Sequence, residues 1–163
     1  MGGAIALGYW GTPRGTVDVD LTLFLPPDKS ADCVWLLQEI GCEFSAAEAV
    51  ESLREHGFCR VTCGGLRVDV FLPIAPFYEA ARARRKSVEL ANQPITIWDA
   101  ESLAVFKMMF FRRKDLADAE QILRSQGSKF DRTWVREQLV AMYGARDPRL
   151  AAWEELVREV PIE

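Results

Sequence analysis

Apolar and polar residues alternate one for one soon after the start of the chain. Val17, Val19, Leu21 and Leu23 are apolar, whereas Asp18 and Asp20 fall between them. Side chains on a strand point to opposite faces in turn, so the pattern predicts a strand over 17–25 with both carboxylates on one face. Pro26 and Pro27 end it, because proline has no N–H to give a ladder. Before this strand, residues 4–9 read as one short helix. After it, Ser30 or Asp32 caps a helix to about Ile40, with Val34, Leu37 and Ile40 on its apolar side, and Gly41 stops it. A second amphipathic helix over 46–56 closes at Gly57.

Two further alternating runs, 58–63 and 66–72, flank Gly64-Gly65, which is a strong signal for a two-residue hairpin turn. The turn fixes the register, pairing Cys63 with Leu66, Thr62 with Arg67, Val61 with Val68, and Arg60 with Asp69. One face is then wholly apolar (Cys59, Val61, Cys63, Leu66, Val68, Val70) and packs on helices. The other carries Arg60, Thr62, Arg67 and Asp69 and faces a cleft. From Asp99 onward the apolar spacing becomes helical, with breaks expected at 112–114, 127–130 and 144–146. Asp147-Pro148 opens the last helix as N-cap and first helical residue. The chain therefore divides into an α/β part, 1–98, and a helical part, 99–163, without internal repeats.

Composition narrows the function classes. With 163 residues, 49% of them hydrophobic, the chain suits one domain, or one domain with a helical appendage. A net charge of −4 gives no footprint for tight non-specific nucleic-acid binding. A local basic patch, Arg82, Arg84, Arg85 and Lys86, leaves room for a nucleic-acid acceptor. There is no apolar run long enough to cross a bilayer and no secretory signal, so no membrane partner and a cytoplasmic location are expected. Cys33, Cys42, Cys59 and Cys63 lack zinc-site spacing, and His56 is the sole histidine. The cysteines are expected to be reduced, small buried hydrophobes.

The chemistry concentrates around two carboxylates. Asp18 and Asp20 side by side repel each other, and a divalent cation between them is one reason for a core strand to carry both; a solvated strand face is the other. Gly2-Gly3 lies just upstream, where backbone N–H groups at the start of the short helix favour an anion such as phosphate. Asp69 is either a third carboxylate or the partner of Arg60 in a surface cross-strand pair. Lys107 is the one charge on a helix, 103–111, that is apolar all round, so it either snorkels to solvent or meets a buried anion.

These residues resemble the nucleotidyltransferase superfamily with the DNA polymerase β-like core: a glycine pair, a short helix, a strand with Asp-x-Asp, and a third carboxylate on a later strand. Arg14 and Thr16 just before Asp18 and Asp20 are closer to the branch of abortive-infection-type nucleotidyltransferase toxins and small aminoglycoside nucleotidyltransferases. That resemblance implies an α+β fold, with a mixed sheet bearing helices on one face, followed by a C-terminal helical bundle. It implies transfer of a nucleoside monophosphate from an NTP such as ATP to a hydroxyl of RNA, protein or a small molecule, by a toxin or an antibiotic-modifying enzyme. The alternative is a catalytically inactive nucleotide-binding or interaction module of the same fold.

Asp18, Asp20 and Asp69 would hold Mg2+ or Mn2+, with Asp69 also helping to remove the acceptor proton. Gly2, Gly3 and Arg14 would hold the triphosphate, although Arg14 could equally be an ordinary loop residue. Thr16 more naturally starts the strand or supports Asp18. Lys107 precedes Arg112-Arg113-Lys114-Asp115-Leu116-Ala117-Asp118, and in the toxin-like branch the lysine faces phosphates or active-site carboxylates. Asp115 belongs to that branch's active site, yet equally reads as the N-cap of a helix to Leu123, with Asp118 favoured by the helix dipole. Lys107→Met is expected to cut transfer while leaving stability level or raised. An antitoxin or a second copy of the chain is a further expected partner. The family places a helix and a core strand before the glycine pair; here the pair follows Met1, so that strand is expected to be absent or supplied by another segment or subunit.

Overall fold

A computed structural model describes residues 1–161, so the final two residues of the expected helical part lie outside it. The chain opens with helix α1 (Gly3–Trp10) and enters strand β1 (Asp18–Thr22). A 3-10 turn (Pro27–Lys29) leads into α2 (Ser30–Glu39), a two-residue strand β2 (Cys42–Glu43) and α3 (Ala46–His56). Strands β3 (Phe58–Cys63) and β4 (Leu66–Phe71) form the hairpin, and α4 (Phe77–Arg84) follows. A second hairpin, β5 (Lys86–Leu90) and β6 (Gln93–Ile97), precedes α5 (Ala100–Phe110), α6 (Arg113–Gln126), α7 (Arg132–Tyr143) and α8 (Pro148–Glu159).

The main sheet is mixed, in the order β1-β4-β3-β2, with β1 parallel to β4 and the other pairs antiparallel. The hairpin register agrees at every expected pair, from Cys63 opposite Leu66 to Arg60 opposite Asp69. Gly64 and Gly65 both take positive φ, 56° and 78°, which the tight turn requires. One face of this sheet is covered by α2 and α3. Val34, Leu37 and Leu53 pack there on Cys59, Val61 and Val70, in one continuous apolar cluster.

A second cluster is organised around α5. Leu103, Val105 and Met108 are fully buried, against Ala6 and Leu7 of α1, Ile97, and Ile122 and Leu123 of α6. A helix apolar on every side needs neighbours on every side, and α1, α6, α7 and α8 supply them. Asp99 caps α5, accepting from the Ser102 N–H at 3.0 Å. The architecture is thus α+β, a mixed sheet with α2 and α3 on one face and a C-terminal helical assembly.

Several expectations need correction. The first strand is shorter than 17–25, since Val17 is exposed and the last bond to β4 comes from the Leu23 N–H, which donates to the Phe71 carbonyl at 3.0 Å. Ser30 lies inside α2 rather than capping it, because the preceding 3-10 turn already starts the coil. The cysteines are not all reduced. Cys42 and Cys63 are bridged, the β2–β3 register having placed them opposite each other with Cα atoms 4.3 Å apart, while Cys33 and Cys59 stay free and buried. Asp115 is not the N-cap of its helix: α6 starts two residues earlier, at Arg113, and Asp115 is the third residue of a capping box with Arg112. On the side of β1 away from β4, the Gly2 N–H donates to the Asp20 carbonyl at 2.9 Å, and no further strand pairs there among the described residues.

Candidate functional site

The open face of the sheet looks across a cleft of about 750 Å3 toward α1, α5 and the start of α6. Strand alternation decides what reaches it. Asp18 and Asp20 share one face of β1, and the parallel register sets Asp20 beside Asp69 and Asp18 beside Arg67 on β4. The antiparallel register then adds Arg60 beside Asp69. Gly2 and Gly3, Arg14, Thr16 and Lys107 line the same cleft. Of the nine residues singled out from sequence, only Asp115 is not a lining residue; it is fully buried one layer behind.

The three cleft carboxylates have different surroundings. Asp69 is held by Arg60 through two hydrogen bonds, Nε at 2.6 Å and Nη2 at 2.8 Å, so the cross-strand pair exists and lies inside the cleft. Asp18 accepts from the Thr16 hydroxyl at 2.6 Å and from Arg67 at 3.0 Å. The Thr16 hydrogen bond, with Arg67 behind it, holds the Asp18 carboxyl below the usual aspartate range although partial burial opposes this. Asp20 has neither hydrogen bond nor ion pair from its side chain among the described residues. Burial pushes its carboxyl up, and the neighbouring charges of Asp18 and Asp69 push it further.

Gly3 sits directly against Asp20. Its φ is +56°, and a Cβ there would fall 1.7 Å from Asp20 Oδ2. Only glycine lets the backbone at the head of α1 come this close to the carboxylate. A Cβ at Gly2 would meet the Trp98 ring at 3.1 Å. The paired glycines are therefore a packing requirement of the site itself.

Lys107 is buried and lies at the cleft wall. Its Nζ stands 2.7 Å from Asp118 Oδ2 and 3.7 Å from Asp115 Oδ1. Arg14 forks onto both oxygens of Asp118, Nε donating to Oδ1 at 3.1 Å and Nη2 to Oδ2 at 3.0 Å. Arg112 holds Asp115 through Nε at 2.5 Å. Burial alone would raise the Asp118 carboxyl, but hydrogen bonds from Arg14 and Lys107 outweigh it and keep it below the ordinary range. The snorkelling alternative for Lys107 is thus excluded, and its direct partners are Asp118 and Asp115, not Asp20 or Asp69. Asp118, read from sequence only as a dipole partner, is the hub that ties the β1 approach loop to α5 and α6. Its role depends on Arg14, 104 positions away, which local spacing does not reveal.

Whether this face fits a divalent cation can be judged from its donors. Asp20 offers unpaired carboxylate oxygens beside two like charges, which is the charge excess a hard cation relieves. Against this, no three carboxylate, cysteine or histidine side chains among the described residues converge into a ready-made cage. Arg60 and Arg67 occupy oxygens of Asp69 and Asp18. Arg60 is half exposed, and its two hydrogen bonds to Asp69 leave the oxygens of Asp20 as the unengaged donors of this face.

No protein family and no curated protein matches this sequence. Among solved structures, the chain is similar to an antigenic nucleotidyltransferase-like protein from Paracoccidioides brasiliensis. The identity is 16% and the TM-score 0.47, over 99% of this chain and 84% of that one. A likeness of that degree assigns no activity to this chain.

Proposed function

We propose that the cleft carries out metal-dependent nucleotidyl transfer, moving a nucleoside monophosphate from an NTP to a hydroxyl acceptor. The observation that supports this most is the placement of Asp18, Asp20 and Asp69 on one sheet face, directly against the glycine pair that heads α1. Asp18, Asp20 and Asp69 would hold Mg2+ or Mn2+, which when bound supplies charge neutralisation for the phosphates and for the attacking oxygen. In this reading the Gly3 end of α1 receives the triphosphate, while Gly2, whose N–H donates to the Asp20 carbonyl, holds that end against β1. The acceptor oxygen forms a bond to the α-phosphorus, and the bond from that phosphorus to the bridging oxygen breaks. Pyrophosphate leaves with the electron pair, and the acceptor proton passes to Asp69.

Arg14 and Lys107 act in this reading through Asp118, fixing the wall of the cleft, with Asp115 behind them. Thr16 orients Asp18. The acceptor is RNA, protein or a small molecule, and a toxin with an antitoxin partner or an antibiotic-modifying enzyme are the finer versions. A second reading, a nucleotide-binding module without turnover, is favoured by one observation: Arg60 and Arg67 already neutralise two of the three carboxylates. Incubation with each α-labelled NTP, Mg2+ and cell extract separates the two. Label fixed in RNA, protein or a small molecule supports transfer; binding of NTP with no fixed label supports the inert module.

A further inference from the structure

Every arginine that lines the cleft is already paired. Arg14 is held by Asp118, Arg60 by Asp69, Arg67 by Asp18 and Arg112 by Asp115, and Lys107 shares Asp118. Lys114, a lining lysine without such a partner among the described residues, exerts its charge on Asp18. An anion at the glycine pair is therefore left to neutral donors and to any cation it brings with it.

Two kinds of neutral donor stand there without an acceptor. The N–H groups of Gly3, Ala4 and Ile5 open α1, and none has a partner among the described residues, as the first turn of a helix leaves them. The other donor is the indole of Trp98, between β6 and α5. Trp98 is 3% exposed, set among Phe24, Tyr78 and Phe106 with ring centroids 5.9, 6.5 and 4.9 Å away. Its backbone is pinned as well: the Trp98 N–H donates to the Met1 carbonyl at 3.1 Å, and its carbonyl accepts from the Trp10 indole at 2.7 Å. The Trp98 indole N–H itself donates to nothing among the described residues, yet it is not sealed inside the core, since the ring lines the cleft. A Cβ placed on Gly2 would lie 3.1 Å from Trp98 Nε1 and 3.8 Å from Asp20 Cβ. The N–H edge of the indole thus opens on the space shared by the glycine pair and Asp20.

A tryptophan buried this deeply ordinarily finds an acceptor for its N–H. Asp20 is not that acceptor, because its side chain takes no hydrogen bond. An oxyanion seated on the open N–H groups of α1 would bring an acceptor to the indole edge. We infer that Trp98 is a phosphate-binding residue, its indole N–H adding a side-chain donor to the backbone donors at the head of α1. The neutrality of this donor has a consequence. A lysine or arginine at this place would pair with Asp20 and cancel its charge, whereas an indole, a donor without charge, binds phosphate and leaves Asp20 free for a cation. Tyr78 also carries a hydroxyl without a partner among the described residues, but its ring stands behind that of Trp98 relative to no measured point of the glycine pair, and it is not assigned to the anion. The inference rests on the transfer reading above only for naming the anion as the triphosphate of an NTP.

The test is made without NTP, so that it is independent of turnover. Heteronuclear NMR of the isotope-labelled native chain resolves one indole N–H for each of its five tryptophans. Inorganic tripolyphosphate is titrated in with Mg2+ present throughout, and adenosine is titrated separately. The expected result is that tripolyphosphate moves the Trp98 indole proton downfield and slows its exchange with water, while adenosine leaves it in place. Calorimetry then compares the native chain with Trp98→Phe, which keeps a ring in the aromatic cluster and removes the N–H. Tripolyphosphate should bind the variant roughly tenfold more weakly, the loss of one hydrogen bond to a charged group. A Trp98 resonance that stays put while tripolyphosphate binds, or a chain that binds no tripolyphosphate, overturns the assignment. So does a folded Trp98→Phe that binds it as tightly as the native chain. Adenosine shifting the Trp98 resonance as far as tripolyphosphate does overturns the phosphate assignment in favour of a ring. If Trp98→Phe does not fold, the resonance of the native chain decides alone. If Trp98 responds as expected but no NTP label is ever transferred, the transfer reading fails while the phosphate site stands.

Discussion

Replacing Lys107 by methionine is the sharpest perturbation of the charged wall behind the cleft. Methionine keeps most of the volume and the apolar stem, so the change is close to the removal of one ammonium. From sequence alone, an unpaired buried lysine would be relieved by this substitution and stability would stay level or rise. The geometry reverses the sign. Lys107 donates to Asp118 at 2.7 Å and stands 3.7 Å from Asp115, and both aspartates are buried. Stripping every partner from a buried ion costs about 3–5 kcal/mol, but that ceiling does not apply, because Arg14 still holds Asp118 and Arg112 still holds Asp115. What is lost is one charge-assisted hydrogen bond and a longer Coulomb contact, about 2 kcal/mol in all. Urea unfolding followed by tryptophan fluorescence reads this as a lower midpoint with an unchanged slope. A midpoint equal to or above that of the native chain would refute the pairing argument and return Lys107 to a liability of the core.

Asp118→Asn tests the same hub by pH. The Asp118 carboxyl is held low in the folded chain, so its contribution is present above the ordinary aspartate range and is lost as pH falls through the lowered value. The variant should therefore be less stable than the native chain at neutral pH, with the gap closing in acid; a gap constant with pH contradicts the assignment. Gly3→Ala puts a Cβ 1.7 Å from Asp20 Oδ2 at a left-handed φ, so calorimetric titration should show weakened Mn2+ binding, and undiminished binding would detach Gly3 from the site. The Cys42–Cys63 bridge closes a separation of 21 residues, for which chain entropy gives about 3 kcal/mol. Cys42→Ser should lower thermal stability by that order in oxidising buffer and leave it unchanged under reductant, whereas equal losses in both would point to packing instead.

The parts of the fold that were legible in the sequence are those set by local periodicity. The Gly64-Gly65 hairpin, its register and its two faces followed from the glycine turn and the alternation around it, except that Leu66, expected on the packed face, is exposed beside the turn. Two helix breaks followed from Gly127 and Gly144, and the start of the last helix from Asp147-Pro148, whereas the break expected at 112–114 falls at Phe111-Arg112, Arg113 and Lys114 already belonging to α6. The second hairpin was not foreseen, because its turn is Ala91-Asn92, where both residues take positive φ without the glycine that advertises such a turn. Its strands are largely exposed and the second carries Pro94, so neither stands out as a strand beside the basic patch of Arg82, Arg84, Arg85 and Lys86. Within that basic patch Arg84 is already committed to Asp99 and Glu101, at 2.6 and 3.0 Å. The disulfide was illegible since Cys42 and Cys63 meet only through a strand of two residues. Around the cleft, the carboxylate face could be read from Asp18, Asp20 and Asp69, but their counter-ions could not. Arg14 reaching Asp118 and Arg67 reaching Asp18 span 104 and 49 positions, distances at which spacing carries no information.

The most direct test of nucleotidyl transfer follows the two ends of one triphosphate. Parallel reactions with α-labelled and γ-labelled NTP, in Mg2+ or Mn2+ and with cell extract as the source of acceptor, are run for the native chain and for Asp20→Asn. The substitution removes the one cleft carboxylate that has no counter-ion while keeping its shape. The expected result is α-label fixed to an acceptor, γ-label released as pyrophosphate, and neither event with Asp20→Asn. Fixation of the γ-label, or α-label transferred equally well by Asp20→Asn, would contradict the assignment of this cleft to nucleotidyl transfer.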